Sequence, residues 1–351
     1  MFRQRFSRSF IWACVVSCSL ALVGGAITYA ANDAGGYKVV RRIPVGGDGG
    51  WDYLRVDSDA HRIYLSRGDH MMVVDEGTGK LIADLKDTKG IHGMAIATDL
   101  GKGFTSNGGS NSVTVFDLKS LAATSEIKIE GGNPDSIIYD PMTKRVFTFN
   151  GKTNDSTVID ATTNKVVGTV KLSGKPEEPA LDGKGNVFVN IEDKSSLTEF
   201  DAKTLAVKGS WPLAPCEGPS ALAIDLKNHR LFSACDKVMV VTNADTGKVV
   251  ASPPIGGDPD GNVFDPNTGM IFAACREGLV SVIHQDSADK YSVLGNITTQ
   301  FGTRTMAMDS KTGHVFTVTA DFKAAAAPTP ENPRPRPTPI NGSFVILEIA
   351  K

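Results

Sequence analysis

The stretch GGNPDSIIYDPMTKRVFTFN at 131–150 returns in weaker form as GGDPDGNVFDPNTGMIFAAC at 256–275. Both read as a polar turn, a short apolar run ending in Asp, a second turn and another apolar run. Further strands follow, and the hairpin DATTNK at Asp160–Lys165 has relatives in DEGTGK at Asp75–Lys80 and NADTGK at Asn243–Lys248. Strand-final acids recur at Asp57, Asp140, Asp182, Asp225, Asp265 and Asp309. Aromatic residues follow the turn at Tyr64, Phe104, Phe147, Phe188, Phe232, Phe272 and Phe316. A repeat of about 40–45 residues built from four short strands cannot bury its apolar faces alone and must stack on its neighbours.

Seven such units predict an all-β chain folded as a seven-bladed β-propeller of four-stranded antiparallel blades. The strand Tyr37–Gly46 has no complete unit before it, and the last unit, ending SFVILEIAK, is one strand short. The N-terminal strand is therefore expected to complete the last blade and close the ring, which removes long open edges. Residues 37–351 then form a single propeller. KAAAAPTPENPRPRPTPINGS, at 323–343, interrupts the last unit between its second and third strands. Its prolines cannot serve a central ladder, so a projecting, polyproline-like loop is expected.

The first 30 residues read as a signal peptide: Arg3, Arg5 and Arg8 precede an apolar run from Phe10 to Ala30, ending Thr28-Tyr29-Ala30. The run is also long enough for an uncleaved anchor, the one expected route to a membrane. A periplasmic or extracellular location follows. Cys14 and Cys18 leave with the leader, and Cys216, Cys235 and Cys275 remain. A disulfide between Cys216 and Cys235 closes within one hairpin, whereas Cys235 and Cys275 hold equivalent places in adjacent blades, usually too far apart to bridge; Cys275 is expected free. A net charge of -2 with 22% charged residues carries no nucleic-acid footprint.

The phrases NPDSIIYDPMTKRVF, STVIDATTNKVVGTVKL and GSFVILEIA, with GGWDYLRVD, GIHGMAIATD and CEGPSALAIDLKNHRLFSAC, resemble the YVTN-repeat propellers, particularly secreted YncE-like proteins, over residues 37–351. The Y-V-T-N tetrad is nowhere intact; its nearest forms are Val187-Phe188-Val189-Asn190 and Val146-Phe147-Thr148-Phe149-Asn150. The resemblance implies an exported propeller. It implies no single chemistry, because relatives with such blades include binding proteins, surface proteins, lactonases and dehydrogenase subunits.

Aligning the aromatics puts Asp52, His92, Asp135, Glu177, Ser220, Asp260 and Arg304 at the entrance of successive inner strands, 40 to 44 residues apart. Equivalent places of inner strands face one channel, so these side chains form a candidate ligand-binding ring at its mouth. Acids with one imidazole could hold a divalent cation such as Ca²⁺, Mg²⁺ or Zn²⁺, and Arg304 could fork onto a carboxylate. Asp is also a common turn residue, so local capping is the bland alternative. Trp51 could stack on a ligand or pack between blades. Near the ends of the second strands, Arg67, Asn107 and Asn150 are further ligand-contact candidates, with Asn190, Cys235, Cys275 and Thr319 in similar places.

The expected function is binding of a small ligand, cation or protein partner of the cell envelope at the channel mouth, by a monomer. The alternatives are a metal-assisted lactonase or related hydrolase at the same mouth, with His92 or Glu177 as base, and a cell-envelope scaffold using the Pro-rich arm. No G-x-S-x-G elbow, P-loop or H-E-x-x-H pattern occurs.

Overall fold

The computed structural model describes residues 33–325, 329, 335 and 337–351. The expected leader at 1–30 and the middle of the 323–343 insertion lie outside the described residues. The rest is a seven-bladed β-propeller: seven four-stranded antiparallel sheets, each running outward from an inner strand in chain order, except in the last blade. Among the described residues helix is limited to three short 3-10 turns. In the last blade Arg304–Met308, Val315–Thr319 and Val345–Ala350 are followed on the outside by Lys38–Pro44. Closure by the N-terminal strand is thus observed, with Arg42 opposite Leu347 and Ile43 opposite Ile346.

The repeating residues carry the scaffold. The seven aromatics from Tyr64 to Phe316 are fully buried between blades, and truncating any one of them should cost about 3–5 kcal/mol. The strand-final acids cap the inner hairpins. Asp140 accepts from the backbone N–H of Met142 and Thr143 at 3.1 and 3.2 Å. Asp57, Asp182, Asp225, Asp265 and Asp309 accept backbone N–H groups of their own turns in the same way. These aspartates are turn chemistry.

The acids at the start of the inner strands behave differently, and a register irregularity explains why. Pro134 pairs with Asn150 and Ile137 with Thr148, so Asp135 and Ser136 together oppose a single residue. Equivalent shifts fall beside His92, Glu177, Asp260 and Arg304. A bulge bends the strand and re-aims its side chains. Asn133 and Asp258, in left-handed backbone with φ of 54° and 51°, turn the chain immediately before Pro134 and Pro259.

Cys216 and Cys235 form the expected disulfide, with Cα atoms 5.4 Å apart, and Cys275 is free and buried. The Pro-rich insertion begins and ends in a two-stranded ribbon, Phe322–Lys323 paired with Thr338–Pro339, rather than in polyproline conformation throughout.

Candidate functional site

The bulged entrances surround a cavity of about 350 Å³ at the channel mouth, whose walls include Asp52, Asp135, Glu177, Ser220, Asp260 and Arg304. Inner-strand backbones are tied around it: the Ser136 hydroxyl donates to the Glu177 carbonyl at 2.6 Å, Ser220 to Pro259 at 2.7 Å and Thr305 to Asp52 at 2.8 Å. Ser106 likewise donates to the Asp135 carbonyl. The mouth is held by hydrogen bonds between neighbouring blades.

Three ring residues converge. His92 Nδ1 lies 2.7 Å from Asp52 Oδ2 and 3.5 Å from Asp135 Oδ1. One ligand atom from each of Asp52, His92 and Asp135 lies within 4.8 Å of the others, the one such group among the described residues. Burial opposes a charged imidazolium, but the Asp52 hydrogen bond and the Asp135 and Asp52 charges outweigh it and raise the His92 pKa. Burial, and then the charge of Asp52, push the Asp135 carboxyl up to about 7. Burial and the Asp135 charge raise Glu177 too, against the opposing ammonium of Lys175 at 2.7 Å. Lys175 also pairs with Glu192 at 2.5 Å.

The other wall carries two arginines among the acids Asp236, Asp258 and Asp260. Asp260 takes Arg276 at 2.5 Å and Arg304 at 3.5 Å, so one half-buried carboxylate is shared by two guanidiniums. Burial raises the Asp260 pKa, and both arginines oppose that rise. Arg304 also donates to the Trp51 carbonyl. The mouth is therefore divided: an acid and imidazole cluster on one side, an arginine pair on the other.

Below it the channel is blocked. Arg55 and Glu178 lie on inner strands three blades apart, yet their side chains meet at 3.5 Å. Such a contact can be made only across the lumen. Beneath this pair, inner strands of all seven blades line a second space of about 530 Å³, largely apolar, to which Ile137, Leu222 and Met306 contribute.

Several expected contacts are elsewhere. Asn107 and Asn150 are fully buried and locked in their own hairpins, not presented to a ligand. Asn150 Nδ2 donates to Asp155 at 2.8 Å and Thr157 at 2.9 Å, while its Oδ1 accepts from Thr148; Asn107 repeats this with Thr114 and Thr105. Arg67 is 1% exposed, with its guanidinium 3.8 Å from the Phe344 ring centroid and hydrogen bonds to the Gly46 and Asp48 carbonyls. It fastens the entry loop, and burial holds its pKa down at about 10. None of the three lines the mouth cavity. Asn190 is one place inside the strand end and bonds Ala221 and Ser233 of the next blade. Trp51 is buried against Phe344 and Phe322, which is the packing role.

Lys175, Glu192, Arg276 and the Arg55–Glu178 pair were not anticipated. Arg276 had a signal: it directly follows Cys275 at the end of a second strand, beside the inner-strand entrance.

Fold and site together define a propeller with a polar, charge-divided well at one end of its axis. No protein-family model matches the chain, and comparison with curated proteins returned no match. Among solved structures, hydrazine synthase of Kuenenia stuttgartiensis is similar, with a TM-score of 0.68 and 16% identity, over 76% of this chain and 92% of that one. At such identity the likeness is one of fold alone.

Proposed function

We propose that this chain is an exported propeller of the YVTN-repeat, YncE-like kind whose channel mouth binds a polar ligand through a divalent cation. The observation that carries the reading is the convergence of Asp52, His92 and Asp135 within 4.8 Å. Two ligands about 2.1 Å from one ion lie at most about 4 Å apart, so a small closure of these side chains suffices. One imidazole with two carboxylates suits zinc or manganese better than calcium. The bound cation would neutralise the carboxylates and leave coordination positions for a ligand; Arg304 and Arg276 would meet its anionic end. Export is supported by the basic, then apolar, leader ending Thr28-Tyr29-Ala30, and by the disulfide.

Zinc titration by calorimetry, with metal analysis of the purified protein, tests this. One ion per chain is expected, with binding lost in Asp135→Ala and His92→Ala. Equal zinc binding by the wild type and both variants would remove the site. A second reading, metal-assisted hydrolysis of a lactone, is favoured by the 2.7 Å His92–Asp52 contact, which orients the imidazole for proton transfer. Turnover of a lactone panel that depends on both zinc and His92 would select it.

A further inference from the structure

Beside the mouth lies a further cavity, of about 440 Å³, which shares Asp258, Arg276 and Arg304 with the mouth but none of the acid–imidazole cluster. Phe301, Phe322, Pro339 and the edge of Trp51 form its apolar side, and Arg276 and Arg304 its polar side. Phe301 is 52% exposed, a large apolar face left to solvent. It meets Phe322 edge-on, with centroids 5.3 Å apart, and Phe322 lies 6.0 Å from Trp51. Phe322 and Pro339 belong to the ribbon at the root of the Pro-rich insertion, so the interruption of the last blade builds this wall.

The polar side has spare donors. Arg276 and Arg304 share Asp260, and the acids Asp258 and Glu277 stand in the same wall. The Trp51 Nε1 and Arg276 Nε atoms are buried without a hydrogen-bond partner among the described residues. The nearest competing acid, Asp258, is 3.7 Å from Arg276 Nε and its side chain is 69% exposed, so it can yield its place to a ligand. Aromatic faces alone would also attract cations, but two adjacent guanidiniums repel them. The unpaired indole and guanidinium donors call for an acceptor such as a carboxylate, and the aromatic wall calls for a flat apolar body. The volume is that of a small-molecule site.

We propose that this cleft binds an aromatic carboxylate, its ring against Phe301 and Phe322 and its carboxylate on Arg276 and Arg304. The cleft draws on the two arginines that the mouth also presents, but it needs no cation held by Asp52, His92 and Asp135.

Calorimetric titration of the full chain with 2-naphthoate, and with the uncharged 2-naphthalenemethanol, tests it. Naphthoate should bind about tenfold or more tightly than the alcohol, as expected for a charge-assisted, forked contact. Phe301→Ala and Arg276→Gln should each weaken naphthoate about tenfold, an energy typical of one good contact. Phe301 is exposed, so its truncation leaves the fold intact, and an unchanged thermal midpoint verifies this. Absence of naphthoate binding at millimolar concentration, equal binding of acid and alcohol, or unaltered binding by Phe301→Ala would overturn the proposal. A zinc titration of the same protein reports separately on the mouth. Zinc binding without naphthoate binding counts against the cleft alone, and naphthoate binding without zinc leaves the cleft standing.

Discussion

Arg55 and Glu178 close the channel: one side chain from the first blade and one from the fourth meet at 3.5 Å in the lumen, directly beneath the charged mouth. The pair separates the polar well from the apolar space below.

Removing one partner strands the other. At pH 8, where Glu178 is ionised, Arg55→Met leaves that carboxylate unpaired in the lumen and should destabilise the fold by about 3 kcal/mol, the low end for a buried pair because the Arg55 side chain keeps 28% exposure. The double replacement Arg55→Met/Glu178→Leu should recover most of that loss. Urea midpoints of the three proteins check both statements.

Glu178 also makes stability depend on pH. Burial pushes its carboxyl up to about 7 despite Arg55, from an ordinary value of 4.5. Between these values the folded chain holds a proton that the unfolded chain has released. Stability therefore falls as pH rises from about 5 to about 7, by up to ~3 kcal/mol from this group, and levels above that. Asp135 acts in the same sense. Urea unfolding at pH 5 and pH 8 should show the decline, and Glu178→Gln should reduce it, leaving the share of Asp135 and Glu177.

Asp135→Asn should separate stability from binding. The substitution removes a buried charge that the neighbouring Asp52 disfavours, so the thermal midpoint at pH 8 should rise. Zinc affinity should drop about tenfold or more, since an amide oxygen is a much poorer ligand than a carboxylate. A midpoint that falls while zinc affinity is retained contradicts both halves.

The Cys216–Cys235 bridge spans a sequence separation of 19 residues, for which loop entropy gives about 3 kcal/mol. Cys216→Ser should cost that much in urea unfolding. Cys275 is buried, and burial pushes its thiol up to about 12, so it should resist a thiol reagent until the protein unfolds.

The scaffold was legible because its determinants repeat: Asp140 and Phe147 have counterparts in nearly every blade, so their spacing reveals the register. Register also brought Asp52, His92 and Asp135 to one mouth, because equivalent positions must surround one axis. It could not say which way a strand-end side chain turns. Asn107 and Asn150 stand in the aligned places, but their amides are taken up by threonines of their own hairpins. Arg55 and Glu178 escaped for a different reason. Neither recurs, and their contact depends on the width of the lumen, which no single blade encodes.

Ring closure has a consequence for the order of events in the cell. Arg41 and Glu348, 307 residues apart, are joined at 2.5 Å across the seam between the outermost strand and its neighbour. Within the propeller, Lys38–Pro44 is made before every other strand and its partner Val345–Ala350 after them. The first propeller strand made is thus the last to find its companion. Lys38, Arg41 and Arg42 supply the charge that keeps such a strand from pairing with strangers meanwhile.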